Sequence, residues 1–427
     1  MSDAALPLLG SRRFLPLFIT QFLGAANDNL FKNAIGILII YRLLVDNPGL
    51  SQVLVSAAAG IFILPYMLFS SIAGELADRM EKSRLMRLIK MAEVAIMILG
   101  AAGLYLGDPY LLLGVLFLLG VHSTFFGPLK YSILPQHLKP EELIAGNALI
   151  EGGTFVAILL GTIVGGLAIL LDGGLGLTSI LLIGVAGGGL ASSLFLPKAP
   201  ANQPGLRIDW NLWRGTLDVV RTVTRIRDVN LSVIGISWFW AAGAAYLGQL
   251  PAFAKQVLGA DQQVVTLMLA MFSIGIAVGS IVCERILKGE ISARTVPYGA
   301  LGMALFSLDL FFAGGMAAHS GAELGIGGFI ATVPGLRVLA DLFLIAVCGG
   351  LFTVPLYTLL QSKSDPRERA RAVAANNIVN SLYIVVGSAV VIGLLKIGAG
   401  VTGIFLAAAV GNAVVGAWAW RLVRRQA

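Results

Sequence analysis

Residues 21–33, QFLGAANDNLFKN, place Gln21, Asn27, Asp28, Asn29, Lys32 and Asn33 inside a stretch whose flanks, back to Phe14 and on to Val45, are mostly apolar. On a helix advancing ~100° per residue, Gln21, Ala25, Asp28 and Lys32 form one stripe, with Asn29 and Asn33 on the next. A charge near the centre of a bilayer costs at least ~2.5–3.5 kcal/mol, so such residues face a bundle interior or a wet cavity. Asp28 and Lys32 sit four apart and are placed to offset each other's burial. An ion pair locking two helices would explain that pair alone. It would not require three asparagines and a glutamine beside it, so this stretch reads as the polar wall of a substrate pathway. No nucleophile–base pair, metal cluster or phosphate loop appears elsewhere. The expectation is therefore a non-enzyme with no cofactor, metal or catalytic residue.

The elements that must position this wall are membrane helices. The chain has 427 residues, of which 57% are hydrophobic and only 12% charged, a balance that a bilayer accepts and a soluble core does not. Apolar runs of ~20 residues or more fall near 14–44, 50–76, 85–106, 109–129, 142–171 and 175–196, and again near 229–257, 262–287, 293–317, 336–361, 372–395 and 400–422. No cleavable signal follows Arg12 and Arg13. Cys283 and Cys348 lie in or beside these runs, so no disulfide framework is expected. A net charge of +7 would suggest nucleic acid in a soluble protein. Here, if both termini are cytoplasmic, 25 of the 30 Lys and Arg fall in inside segments, which points to membrane orientation instead.

The two halves repeat. AGNALIE at 145–151 matches AANNIVN at 374–380, and PLKYSILPQ at 128–136 resembles PLYTLLQ at 355–361. Matched segments argue for six-plus-six pseudosymmetry. Residues 1–197 are read as one six-helix bundle and 229–427 as the other, joined by a cytoplasmic linker over 198–228. That linker opens Pro-rich and continues as WNLWRGTLDVVRTVTRIRD. There Trp210, Trp213, Leu217 and Val220 recur at helical spacing opposite Arg214, Asp218, Arg221 and Arg225. The pattern suits a helix on the inner leaflet, or a regulatory, partner-binding helix.

Between the second and third spans stands GELADRMEKSR, Gly74 to Arg84. A glycine, a leucine and an Asp-Arg pair followed by basic residues resemble the signature loop of the major facilitator superfamily. The resemblance implies an all-α integral membrane protein of twelve transmembrane helices in two six-helix bundles. It also implies a latch in Gly74, Asp78, Arg79, Lys82 and Arg84 that holds the cytoplasmic ends together while the cavity faces outward. Glu81 stands where that family usually has glycine, and is expected to weaken or redirect the latch. The matching loop of the second half, CERILKGE, keeps only Glu284 and Arg285. GTIVGG at 161–166 is similar to the superfamily's antiporter glycine motif, with Thr162 in place of proline. Close helix packing explains it fully.

QFLGAANDN, FFGPLKYSILPQ, AGNALIEGGTFVAILLG, SWFWAAG and LFTVPLYTLLQ together resemble the lysophospholipid transporter family over nearly the whole chain. The resemblance implies movement of 2-acyl-lysophospholipids, especially lysophosphatidylethanolamine, across a bacterial inner membrane to a cytoplasmic acyltransferase. His122, His137 and His319 leave no acyltransferase His-x-x-x-x-Asp motif, so the chain reads as a transporter alone, and as a monomer. The AANDN context resembles members fused to an acyltransferase, which leaves the partner enzyme open.

Within this frame the substrate-binding residues are expected to be Gln21, Asp28, Asn29, Lys32, Lys130, Asn147, Glu151, Trp240, Asn376 and Asn380. Glu151 and Asn380 occupy matched positions and are expected at the inner mouth near Lys130, with helix capping as the plain alternative. Aligning the first span with the seventh sets Asp28 against Ala245. The charges then lie in one half, opposite Trp238, Phe239 and Trp240 in the other. Such walls suit an amphiphile, although each aromatic taken singly is equally explained by packing. A proton-coupled exporter of small amphipathic compounds, titrating at Asp28 or Glu151, is the competing function. An acyl chain is expected to pass through lateral gaps where the second span faces the eleventh and the fifth faces the eighth. Gly161, Gly165, Gly166, Gly275, Gly279 and Gly387 are read as lining those seams.

Overall fold

The structure is a computed structural model that describes residues 5–315 and 324–423. After a short helix α1 (Ala5–Leu9), the first half is built from α2 (Leu15–Leu38), α3 (Pro48–Arg79), α4 (Lys82–Leu106), α5 (Pro109–His137), α6 (Leu143–Ala168) and α7 (Gly174–Ser193). A linker carrying α8 (Leu212–Arg225) leads to α9 (Arg227–Ala252), α10 (Gln262–Leu287), α11 (Val296–Gly315), the single-turn α12 (Ile326–Ile330), α13 (Val333–Lys363), α14 (Arg369–Lys396) and α15 (Gly400–Val423). Twelve of these are long enough to cross a bilayer at 1.5 Å per residue. Eleven are also apolar enough among the described residues; the exception is α2, whose hydropathy is lowered by its amides, Asp28 and Lys32.

Helix ends follow local chemistry. Asn47 caps α3 through Leu50 N, Asp108 caps α5 through Tyr110 N and Leu111 N, and Asp261 caps α10 through Gln263 N and Val264 N. Helix α5 runs through Pro128 and Pro135 to His137, eight residues beyond the expected span. Leu129, Ile133 and Leu134, beside the two prolines, are buried in the core, and such packing tolerates the donors missing there.

The same pairings recur in each half. The second helix of a half packs on its fourth (α3 with α5, α10 with α13). The third packs on the sixth (α4 with α7, α11 with α15), and the first on the fifth (α2 with α6, α9 with α14). The first helix of each half also ends in a π-turn, at Ile39–Leu43 and Phe253–Val257. Between halves, α3 packs on α14 and α6 on α10, as expected.

The glycines of those helices do other work. A Cβ on Gly161 or Gly165 would strike the α2 backbone at Ala26 or Leu30, and one on Gly166 would meet Asn33. Gly275 and Gly279 press on Phe343 and Val347 of α13, and Gly387 lies beside Ala241 of α9. These six are contacts within each half, not the seam lining expected from sequence. The close seam contacts are made by Gly152, whose Cβ would lie 3.2 Å from Ala277 Cα, and by Gly74.

Candidate functional site

A cavity of about 410 Å³ lies between the halves. Helix α2 brings Gln21, Asp28, Asn29 and Lys32 to its wall, and α5 adds His122, Ser123, Lys130 and Tyr131. Across from them stand Phe239, Trp240, Gly243, Ala244 and Leu247 of α9, with Asn377, Asn380 and Ser381 of α14. Every Asp, Lys and His side chain on the lining belongs to the first half. The second half offers aromatics and small residues, but also neutral amides that the alignment of the first and seventh spans did not reveal.

Asp28 and Lys32 share the wall without forming an ion pair. The Asp28 carboxylate accepts from Ser123 Oγ at 2.6 Å, while Lys32 Nζ sits 5.7 Å from the centre of the Phe62 ring. Both are partly buried on the cavity lining. Gln21 accepts from Thr154 Oγ1, and Asn29 donates back to Ala25 O of its own helix.

Behind the wall lies a cluster that the sequence reading passed over. Lys90 pairs with Glu93, and both are fully buried in α4. Glu93 Oε2 lies 3.3 Å from His122 Nε2, and Glu93 Oε1 accepts from Asn27 Nδ2 at 3.1 Å. Gly24 and Gly189 make room for the lysine, whose Nζ would lie 3.2 and 2.9 Å from a Cβ on each. Two ionisable residues inside the apolar run 85–106 were the available signal, by the rule that had singled out Asp28.

The floor is built from the repeated segments. Tyr131 and Tyr357 stack with ring centres 4.4 Å apart and planes 6° from parallel. Tyr131 donates to Glu151, and Trp240 Nε1 donates to the Tyr357 hydroxyl at 2.9 Å. Lys130 Nζ lies 4.6 Å from the Tyr131 ring centre. Below, Asn147 exchanges hydrogen bonds with Gln361 and donates to Thr358 Oγ1. Asn147, Glu151 and Asn376 are buried and do not line the cavity; they belong to this closed floor. Asn380 lines the wall and accepts from Ser237 Oγ. Trp238 turns away to Asn412, while Phe239 and Trp240 face the cavity, and Ala245 does not line it.

Farther out, the Gly74–Arg84 segment meets the start of α14 in the other half. A Cβ on Gly74 would fall 2.6 Å from Ala374 Cβ and 2.9 Å from Arg371 Cα, so only glycine permits this approach. Asp78 accepts from the backbone N–H groups of Ala370 and Arg371 at 3.2 Å each and from Arg371 Nε at 3.4 Å. A carboxylate here sits at the N-terminus of α14, where the helix presents free donors. Arg79, Arg84 and Arg285 are exposed, whereas Lys82 is buried with Nζ near Pro200 O, and Glu284 is buried at the end of α10. Glu81 does not loosen the loop. It caps α4 through Ser83 N and Arg84 N and accepts from Ala199 N of the linker. Burial pushes its carboxyl up, but those backbone donors outweigh burial and hold it below the usual carboxylate range. His319 lies outside the described residues.

The family model of the Major Facilitator Superfamily matches residues 17–388. The lysophospholipid transporter LplT of Escherichia coli O1:K1 is 30% identical over 433 residues, covering 97% of each chain. The chain belongs to the lysophospholipid transporter family of the Major Facilitator Superfamily. It is a multi-pass membrane protein. Solved structures agree on the superfamily fold: the Escherichia coli fucose:proton symporter FucP at TM-score 0.68 and 14% identity, covering 98% of this chain and 99% of that one. The human organic anion transporter MFSD10 gives TM-score 0.72 at 13% identity, covering 96% and 99%.

Proposed function

We propose that this superfamily member moves lysophospholipids, lysophosphatidylethanolamine foremost, across a bacterial inner membrane toward the cytoplasmic leaflet for reacylation by a separate acyltransferase. The carrying observation is the cavity: Asp28 and Lys32 on one wall, Phe239 and Trp240 on the other, with the floor closed by the Tyr131–Tyr357 stack. A zwitterionic headgroup finds a carboxylate and an ammonium on one helix. A chain of roughly sixteen carbons would lose on the order of 12 kcal/mol if drawn through water, at ~0.8 kcal/mol per CH₂, so it should travel in an apolar seam. Ile63 and Tyr66 of α3 and Ser381 and Ile384 of α14 line the cavity, whereas no α10 residue does. The α6–α10 seam is filled by Phe155 against Phe239, Trp240 and Phe272. Lateral access is therefore assigned to the α3–α14 seam alone, with the Gly74–Arg84 loop on the cytoplasmic side and the chain acting as a monomer.

Uptake of labelled lysophosphatidylethanolamine into proteoliposomes tests this directly. Uptake unaffected by an ionophore is expected, and no uptake would overturn the reading. Ionophore-sensitive movement of other amphipathic compounds would favour a proton-coupled exporter. The observation on that side is His122, which lines the cavity and touches the buried Glu93.

A further inference from the structure

The linker helix α8 lies across the seam that the lysolipid would use. Its buried residues Gly215, Val219 and Val223 face the bundle, and it packs on both α3 and α14. Gly215 lies beside Ser71, with a Cβ 3.3 Å from Ser71 Oγ, and Asp209 N donates to Glu75 Oε2. Ser71 precedes the end of α3 at Arg79 by eight residues, about 12 Å along the axis at 1.5 Å per residue. A helix on the flank of the bundle at that distance from the helix end is placed to meet the headgroup–acyl boundary of a bilayer around the bundle.

What α8 turns outward fits that boundary. Trp210, just before the helix, and Trp213 and Leu217 on it are exposed at 73%, 81% and 56%, an apolar stripe that none of the described residues covers. Beside it run Arg214, Arg221 and Arg225, all exposed. Asp209 and Asp218 partly answer Arg214, and Asp218 also pairs with Arg221 at 3.2 Å. The whole stretch 198–228 nonetheless carries six Lys and Arg against three Asp, complementary to an anionic surface.

The stretch leading to α8 is tied into the latch itself. Gln203 N donates to Asp78 O, Asn202 Nδ2 donates to Asp78 Oδ1, and Arg371 Nη2 donates to Gln203 Oε1 at 2.9 Å. One linker residue, Gln203, thus bridges the two halves, through its backbone N–H on one side and its side-chain oxygen on the other. We propose that α8 docks on the anionic inner leaflet and, through Asn202 and Gln203, holds the Asp78–Arg371 latch shut and the α3–α14 seam closed at that leaflet. Anionic lipid then stabilises the closed-floor state, and seating or lifting α8 governs release into the inner leaflet. The placement of that leaflet rests on the orientation proposed above; the tests need no lysolipid and fail independently of the substrate.

The full chain, with Cys283→Ser and Cys348→Ala, is reconstituted in vesicles of phosphatidylcholine alone or with phosphatidylglycerol. A spin label at Leu217→Cys reports contact with membrane-dissolved oxygen against a water-soluble nickel chelate. A label pair at Arg84→Cys and Arg367→Cys reports latch distance. The expected result is oxygen-dominated contact at 217 and a shift toward the short latch distance when phosphatidylglycerol is present. R214Q/R221Q/R225Q should abolish that shift, and R214K/R221K/R225K should retain it, which separates lost charge from lost fold. A label at 217 as open to the chelate as one at Arg367 would overturn the proposal, and would leave the tryptophan face to a soluble partner. A latch distance indifferent to lipid charge would overturn it equally.

Discussion

At the scale of residues, the two charges of the wall form no direct pair. Asp28 accepts from Ser123 and Lys32 lies over the face of Phe62, an arrangement that the proposed headgroup site requires. Asp28→Asn should cut lysophosphatidylethanolamine uptake more than about tenfold while the protein stays folded, since a hydrogen bond to a charged group is among the stronger single contacts. A stability cycle with Lys32→Met should show coupling of about 0.2–0.5 kcal/mol, as for opposite charges one helical turn apart that form no direct bond. Full uptake by the Asn variant would remove Asp28 from the site. The Lys90–Glu93 pair should behave oppositely. Glu93→Gln or Lys90→Met alone leaves one buried charge uncompensated and should cost roughly 3–5 kcal/mol, and the double variant should recover much of it. Thermal unfolding in detergent reads both.

Among elements, the decisive contacts are between α3, the linker and α14. Gly74→Leu cannot be seated against Ala374 and Arg371, so it should shift the protein away from the closed-floor state. A cysteine at Glu151, buried here beneath Tyr131, should then become open to a cytoplasmic thiol reagent. No gain in labelling would show that the glycine does not set the equilibrium. Glu81 gives the pH dependence. Its folded-state carboxyl is held below the unfolded value of about 4.3, so its stabilisation is complete above that value and is lost as pH falls through the folded one. Linker proteolysis should therefore rise below about pH 4, and Glu81→Gln should flatten that dependence. Acid sensitivity unchanged in the Gln variant would place the titrating group elsewhere.

For the whole molecule, the asymmetry between seams makes the sharpest prediction. A bifunctional thiol cross-linker between cysteines at Ile63 and Ile384 bars the α3–α14 opening and should stop lysolipid uptake. A bridge between cysteines at Phe155 and Phe272 joins rings already 6.3 Å apart and should leave lateral admission open. Uptake surviving the first bridge would mean that the tail does not pass through that seam.

Composition, periodicity and repetition already determined much of this protein, because a bilayer forces every backbone group into a helix and sets the helix length. Twelve long helices, the paired repeats and the polar face of α2 are consequences of local sequence under that constraint. Which partner each polar residue meets is not local. Glu151 and Asn147 sit one and two turns from cavity-lining Thr154 on α6, yet the stacked tyrosines of α5 and α13 close over Glu151, while Asn147 is bound to Gln361. Gly161 and Gly165 face α2 rather than a seam because helix rotation is set by all neighbours together. Glu93 finds His122, and Lys90 the ring of Phe126, only when α4 and α5 pack side by side. Sequence fixes which helices carry charge, and the tertiary fold decides which charges reach the cavity, because burial depends on residues distant in the chain.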